Sequence, residues 1–401
     1  MQKPSILKKA LSYDRAEIAR KNGLYPYFRE ITSEQDTEVH LKGSGKVIML
    51  GSNCYLGLAS HPEVKEAAIK AVEKYGTGCA GSPFLNGTLD IHKELEVELA
   101  KFTGKEDALL YSTGFMVNQG VIGALTGRKD VLFMDQLNHA SLIDAAKLSF
   151  AQTVKFKHNN MEDLESKLEM FPYEQGKLIT ADGIFSMDGD IIDLPEMVKL
   201  AKKHNAAVMI DDAHALGVLG KTGKGTCDHF GLTEDVDLIM GTFSKSLATT
   251  GGFVASDKRT IDFLRHHSRS LIFSASIPAS TAASALASLK IMKREPERIT
   301  KLWENTERMR KGLTSMGLNT GLSQTPILPV FIGKDHNAFI LCKQLEKHGV
   351  FVNPVIFPAV PKDNALIRIS LMSTHTFEQI DFALQKIKEI IISIGVLDAV
   401  S

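Results

Sequence analysis

The chain has 401 residues, 44% hydrophobic and 23% charged, ordinary values for a globular enzyme with room for more than one core. Lys+Arg and Asp+Glu both number 47, so the formal net charge is zero; this argues against a general nucleic-acid or polyanion binder but leaves room for a local phosphate site. The four cysteines, Cys54, Cys79, Cys227 and Cys342, are far apart and show no CxxC or Cys/His ligand spacing, so no metal site is expected and the thiols read as reduced, in a cytoplasmic protein.

Residues from about 4 to 22 read as a polar helix packed on the protein body. The N-terminus has no signal-peptide pattern and no window approaches the roughly 20 apolar residues of a membrane span; a peripheral membrane contact of this segment stays open. Val47–Leu50 reads as a short strand, and His61–Tyr75 and Ile91–Phe102 carry helical periodicity. Between those two lies Gly76–Thr88, too rich in glycine for a helix. Apolar strand candidates then alternate with helices: Ala108–Tyr111, Val131–Met134, Thr153–Phe156, Leu178–Ala181, Ala207–Ile210, Leu238–Met240 and Gly252–Ala255. That alternation predicts an α/β fold with a mostly parallel sheet covered on both faces. Ligands on such sheets bind beyond the strand carboxyl ends, where Ser112, Asp135, Asp182 and Asp211 fall. After about residue 290 come a long helix (about Glu295–Met316), strands at Pro326–Ile332, near Phe351 and at Leu366–Leu371, and helices near Ala338–His348 and from Phe377. The expected division is an N-terminal segment (1–50), a large domain (51–290) and a smaller C-terminal α+β domain (291–401).

Two stretches carry the chemistry. Asp211-Asp212-Ala213-His214 closes an apolar strand, and Lys245 sits among small hydroxyl residues in Gly241-Thr242-Phe243-Ser244-Lys245-Ser246. Pyridoxal phosphate needs a lysine for its Schiff base and a carboxylate to keep its ring nitrogen protonated. Asp211 suits the ring nitrogen, His214 the ring's phenolic oxygen, and Ala213 is small enough to let the ring lie flat. Ser112-Thr113-Gly114-Phe115 opens a helix after a strand, a place that binds phosphate as readily as it caps a helix. His139 follows another strand and could stack on a ring, although a lone histidine is more often structural. Arg368 suits capture of a carboxylate, but on spacing alone it reads as a strand arginine facing solvent.

Together these residues resemble the α-oxoamine synthases, fold type I pyridoxal phosphate enzymes, over residues 20 to 395. The specific stretches are Ser52–Leu58, Asn86–Thr88, Tyr111–Phe115, Asn138–Ser141, Asp182–Asp190, Asp211–Gly217 and Gly241–Lys245. Tyr25–Arg29, Gly76–Ser82, Phe84–His92, Pro326–Pro329 and Leu371–Thr376 are similar to the soluble bacterial branch that acylates L-serine. The resemblance implies a homodimer with a shared active site, and a decarboxylative condensation of an amino acid with an acyl-CoA. Freed Lys245 would remove the α-proton, the carbanion would attack the thioester, and loss of CO2 would leave an α-amino ketone. It implies Lys245 as the Schiff-base lysine, Asp211 and His214 as ring partners, and His139 stacked on the ring. It places Ser112, Gly114, Phe115, Thr242 and Ser244 around the phosphate, Ser186 near the ring oxygen, and Ser274 at the partner subunit's phosphate. Asn53 and Arg368 would hold the substrate carboxylate, and Ser82 would lie on the acyl-CoA side. One departure stands out: the branch's Gly-Ser-Arg-Phe is Gly81-Ser82-Pro83-Phe84 here, which removes a guanidinium and a backbone N–H together. The first expectation is L-serine with a long-chain acyl-CoA. Glycine or alanine with another acyl-CoA is the runner-up, an aminotransferase of the same fold is the second class, and a catalytically inactive partner subunit is the non-enzymatic alternative.

Overall fold

The computed structural model describes residues 4–396. Seven strands form the central sheet: β1 (Asp107–Tyr111), β2 (Val131–Asp135), β3 (Gln152–Phe156), β4 (Lys177–Asp182), β5 (Ala207–Asp211), β6 (Leu238–Thr242) and β7 (Gly252–Ser256). Their spatial order is β1-β7-β6-β5-β4-β2-β3. Only β7 runs antiparallel to its neighbours; the β2–β3, β2–β4, β4–β5 and β5–β6 pairs are parallel. The sheet is apolar on both faces because helices cover both. Leu132, Met134, Met209 and Val254 pack on one side, and Phe133, Ile179, Val208 and Ile210 on the other. In β4 and β5, Asp182 and Asp211 are register partners, so two carboxylates stand side by side at the carboxyl edge.

A second sheet, Ile327–Gly333, Ala365–Ser370 and Asn353–Val355, is antiparallel. A third joins the hairpin Glu38–Leu41/Gly45–Met49 to Val350–Phe351. The strand expected at Val47–Leu50 therefore pairs with a segment 300 residues downstream. One apolar core contains Ile48, Leu50 and Tyr55 together with Leu328, Ile367 and Leu371, which brings the segment after residue 50 against the Arg368 strand.

Two expectations are corrected. The N-terminal helix is broken into Lys8–Leu11 and Arg15–Lys21, and no residue of either is buried; Ser12-Tyr13-Asp14 separates them. Nothing apolar on this segment finds a core, so length alone does not hold the helix together. Arg368 is not solvent-facing: it is buried, 6% exposed.

The loop after β4, Gly183–Asp193, crosses from the central sheet to the second one. Gly189 carbonyl accepts from Thr325 Oγ1 at 2.8 Å. The other side of the loop is clipped by His158. Its Nε2 lies 3.0 Å from Asp190, its Nδ1 3.1 Å from Asp135, and its ring meets Phe185 edge-on at 4.4 Å. Asn159, in the left-handed region at φ 49°, donates to Ile191 carbonyl. Burial works against charge on His158, but the hydrogen bonds to Asp135 and Asp190 outweigh it and push the imidazole up to about 10. The folded pKa is thus above the unfolded value of about 6.5. The clip's stabilisation is complete below pH 6.5, declines above it, and is gone beyond pH about 10. His158→Ala should destabilise the chain by roughly 3–5 kcal/mol near pH 6.5. Urea unfolding of both proteins from pH 6 to 10.5 should show this difference shrinking; a difference independent of pH would show that His158 is not held as a cation.

Candidate active site

Five strand ends and one helix start enclose a cavity of about 370 Å³, lined by Thr113, Gly114, Phe115, His139, Asp182, Asp211, Ala213, His214, Thr242, Ser244 and Lys245 among others. This lies within the usual range of ligand clefts, about 300–1,000 Å³. The sequence-predicted residues thus converge from β1, β2, β5 and β6. A smaller, more enclosed cavity of about 210 Å³ lies behind Ser112, between Pro83, Phe84, Arg265 and Ile277; it has no lysine–aspartate pair, and the chemistry belongs to the larger one.

Asp211, 3% exposed, is fixed from two sides. Its Oδ1 accepts from Ala213 N at 3.0 Å and its Oδ2 from Asn118 Nδ2 at 2.7 Å. Asn118 also donates to Ser141 Oγ at 2.8 Å, and Ser141 Oγ lies 2.8 Å from His139 Nδ1. His139 N donates to Asp182 at 2.8 Å. One hydrogen-bond network therefore sets both the buried carboxylate and the exposed imidazole that face the cavity. Burial and the neighbouring Asp211 push the Asp182 carboxyl well up. Burial also pulls His139 down, with Lys245 adding to the effect.

Lys245 follows β6. Burial lowers its amine to about 8, against the opposing pull of Asp211 and Asp182. His214 is pushed well below its ordinary value by burial and by the cations of Lys245 and Arg368, so its imidazole is neutral. Its Nδ1 lies 2.7 Å from Tyr55 Oη. Arg368 Nε donates to Ser186 carbonyl at 2.6 Å, and its Nη1 to Asn53 Oδ1 at 3.0 Å and Ser370 Oγ at 2.7 Å. Every one of these acceptors is neutral, and among the described residues no carboxylate pairs with Arg368. A buried guanidinium in that state favours an anionic ligand.

The residues fit pyridoxal phosphate. A poised amine and a fixed carboxylate face one cavity. The helix Gly114–Leu125 opens onto it with Thr113 as its cap, Oγ1 accepting from Met116 N. A Cβ on Gly114 would stand 2.9 Å from Thr242 Oγ1, so glycine keeps room at a helix start suited to phosphate. Thr242 and Ser244 hydroxyls lie 3.0 Å apart beside it.

Some expected residues stand elsewhere. Ser112 turns away, its Oγ donating to Ala275 carbonyl at 2.6 Å. Ser186 presents its carbonyl to Arg368, and neither it nor Asn53, Arg368, Ser82 or Ser274 is among the residues lining this cavity. Sequence reasoning missed Asn118, Ser141, Tyr55 and Ser370. Asn118 had a partly readable signal, an amide one turn into a largely apolar helix. Tyr55 had none, because an aromatic residue in an apolar segment reads as core.

Residues 45–387 match the family described as aminotransferase class I and II. The chain is 53% identical over 386 residues to a serine palmitoyltransferase of Sphingobacterium spiritivorum, covering 96% of each. It is 41% identical over 378 residues to an 8-amino-7-oxononanoate synthase of Thermoanaerobacter pseudethanolicus, covering 94% of this chain and 95% of that one. A solved serine palmitoyltransferase with pyridoxal phosphate superposes with a TM-score of 0.94 at 34% identity, over 99% of this chain and 100% of that one.

Because only a neutral amine attacks a carbonyl, the cofactor-free protein should take up pyridoxal phosphate at a rate that rises with pH through about 8 and then levels. Stopped-flow absorbance between pH 6 and 10 measures this. A rate still climbing at pH 10 would mean an unperturbed lysine.

Proposed function

The chain belongs to the class I and II aminotransferase family, with the type I fold of its pyridoxal phosphate enzymes, and from that premise we propose that it joins L-serine to a long-chain acyl-CoA, releasing CO2 and CoA and leaving a 3-keto sphingoid base. The observation that carries the reading is Lys245 and Asp211 facing one cavity that fits the cofactor, with the buried cation of Arg368 acting on His214 and Lys245 at its edge, in a chain 53% identical to a serine palmitoyltransferase over 96% of its length.

When bound, pyridoxal phosphate supplies the electron sink that stabilises a carbanion at an amino-acid α-carbon. Lys245 would hold it and then act as the base for the α-proton, a role that an amine lowered to about 8 can fill near neutral pH. Asp211, locked by Asn118 and Ala213 N, would keep the ring nitrogen charged without needing to reorganise. His139 would cover the ring, oriented by Ser141 and Asp182. The helix start at Gly114, with Thr242 and Ser244, would take the phosphate. Asn53 and Arg368 would orient the substrate carboxylate, with Ser186 steadying the guanidinium through its carbonyl. Ser274, outside its own chain's cavity, is assigned to the partner subunit's phosphate in a homodimer. No helix among the described residues is long and apolar enough to cross a membrane.

A second reading, alanine or glycine with a different acyl-CoA, is favoured by Pro83 and by the 41% identity to an 8-amino-7-oxononanoate synthase. Purified protein with serine, glycine or alanine and acyl-CoAs of graded length decides between them. Release of CoA thiol and CO2 that needs both serine and a long chain supports the first. Turnover confined to alanine or glycine replaces the substrate, and cofactor amination by amino acid alone makes the protein an aminotransferase.

Lys245→Ala should lower turnover by at least about 10²–10⁴-fold while the protein still unfolds cooperatively; near wild-type turnover would remove Lys245 from the mechanism. Arg368→Gln should cost about 2–5 kcal/mol of amino-acid binding, seen as a raised KM for the amino acid with the acyl-CoA KM unchanged. Equal changes in both would mean that Arg368 only supports the fold.

A further inference from the structure

Tyr55 is fully buried and belongs to the core beneath the Arg368 strand, yet its hydroxyl points at the active site. Its Oη lies 2.7 Å from His214 Nδ1, with the rings edge-on at 6.1 Å. His214 Nδ1 is that oxygen's one hydrogen-bond partner among the described residues. A buried phenol proton needs an acceptor, so it is donated to His214 Nδ1. Burial pushes the phenol up to about 12, so that proton is present at neutral pH. A neutral imidazole has one N–H. If Nδ1 accepts, the proton sits on Nε2, on a side chain that lines the cavity.

We propose that Tyr55 is a positioning residue: it fixes the Nε2–H tautomer of His214, so that His214 donates to the phenolic oxygen of the cofactor. The inference rests on the cofactor reading above. It explains why a tyrosine is needed where a phenylalanine would fill the same core space, since only the hydroxyl orders the imidazole.

Nitrogen-15 NMR of histidine-labelled holoenzyme, with His214→Asn to assign the signal, reads the tautomer directly. The wild type is expected to show His214 with a protonated Nε2 and an unprotonated Nδ1; a protonated Nδ1 in the wild type overturns the proposal whatever any variant does. In Tyr55→Phe the His214 signal should move toward a tautomer mixture and the absorption band of the bound cofactor should shift. The variant's kcat should fall by roughly 10–100-fold, the usual effect of losing an orienting partner, at unchanged cofactor content. An unmoved His214 signal and an unmoved band in a folded, cofactor-loaded Tyr55→Phe would equally overturn it. Wild-type cofactor content, measured in the same samples, tests the cofactor reading separately: a wild type without cofactor sinks that reading, while the tautomer can still be read.

Discussion

Everything at the site follows from keeping a lysine amine buried beside carboxylates that the sheet itself places. Asp182 and Asp211 are register partners at the ends of neighbouring parallel strands, and a parallel sheet makes that proximity automatic once both strands end in aspartate. Two like charges so close in a dry edge cannot share one environment, and the structure separates them. Asp211 receives an amide from Asn118 and a backbone N–H. Asp182 receives one backbone N–H from His139, and its carboxyl is pushed well up by burial and by Asp211. The environments of the two groups are thus pulled apart, as they are wherever two neighbouring acids divide roles. Lys245 completes the arrangement: burial frees the amine while the two acids restrain how far it falls.

The strand-end chemistry was legible in the sequence because it depends on local signals. An apolar run followed by a polar residue marks the carboxyl edge of a buried strand, and this recurs at Tyr111–Ser112, Met134–Asp135, Ala181–Asp182 and Ile210–Asp211. The covering helices follow from the same alternation, whereas the order of the strands and the antiparallel β7 do not. What the pattern does not contain is which side chains meet across distant segments. Arg368 alternates with apolar residues as an outward-facing residue would, yet Asn53, some three hundred residues earlier, and the Ser186 carbonyl supply its buried partners. His158 looked unremarkable in a loop, and it clips the segment that carries Ser186. The N-terminal helix failed for the opposite reason, a helical pattern with no core to receive it.

The acyl side of the site obeys different constraints from the amino-acid side. Pro83 takes the place of an arginine in the branch it resembles, and the loop around it is stiff without that residue. Gly87 N and Leu85 N donate to Ser82 carbonyl, Thr88 Oγ1 donates to Pro83 carbonyl at 2.7 Å, and Ser276 N donates to Gly81 carbonyl. Asn86 packs so close to Gly81 that a Cβ there would overlap it. None of these bonds needs an N–H at position 83, so proline leaves the loop's shape intact and removes only a charge. Phe84 and Leu85 stay exposed beside it, and the cation of Arg265 stands across the cavity that adjoins Phe84. The groups that would activate the amino acid come from strand ends of the central sheet and from the Arg368 strand, whereas this loop belongs to neither. Changes in the acyl partner can therefore accumulate in residues 81–88 without disturbing Lys245, Asp211 or Arg368. On the proposed reading, that separation would let the buried residues hold the reaction class while acyl selectivity rested on this surface loop.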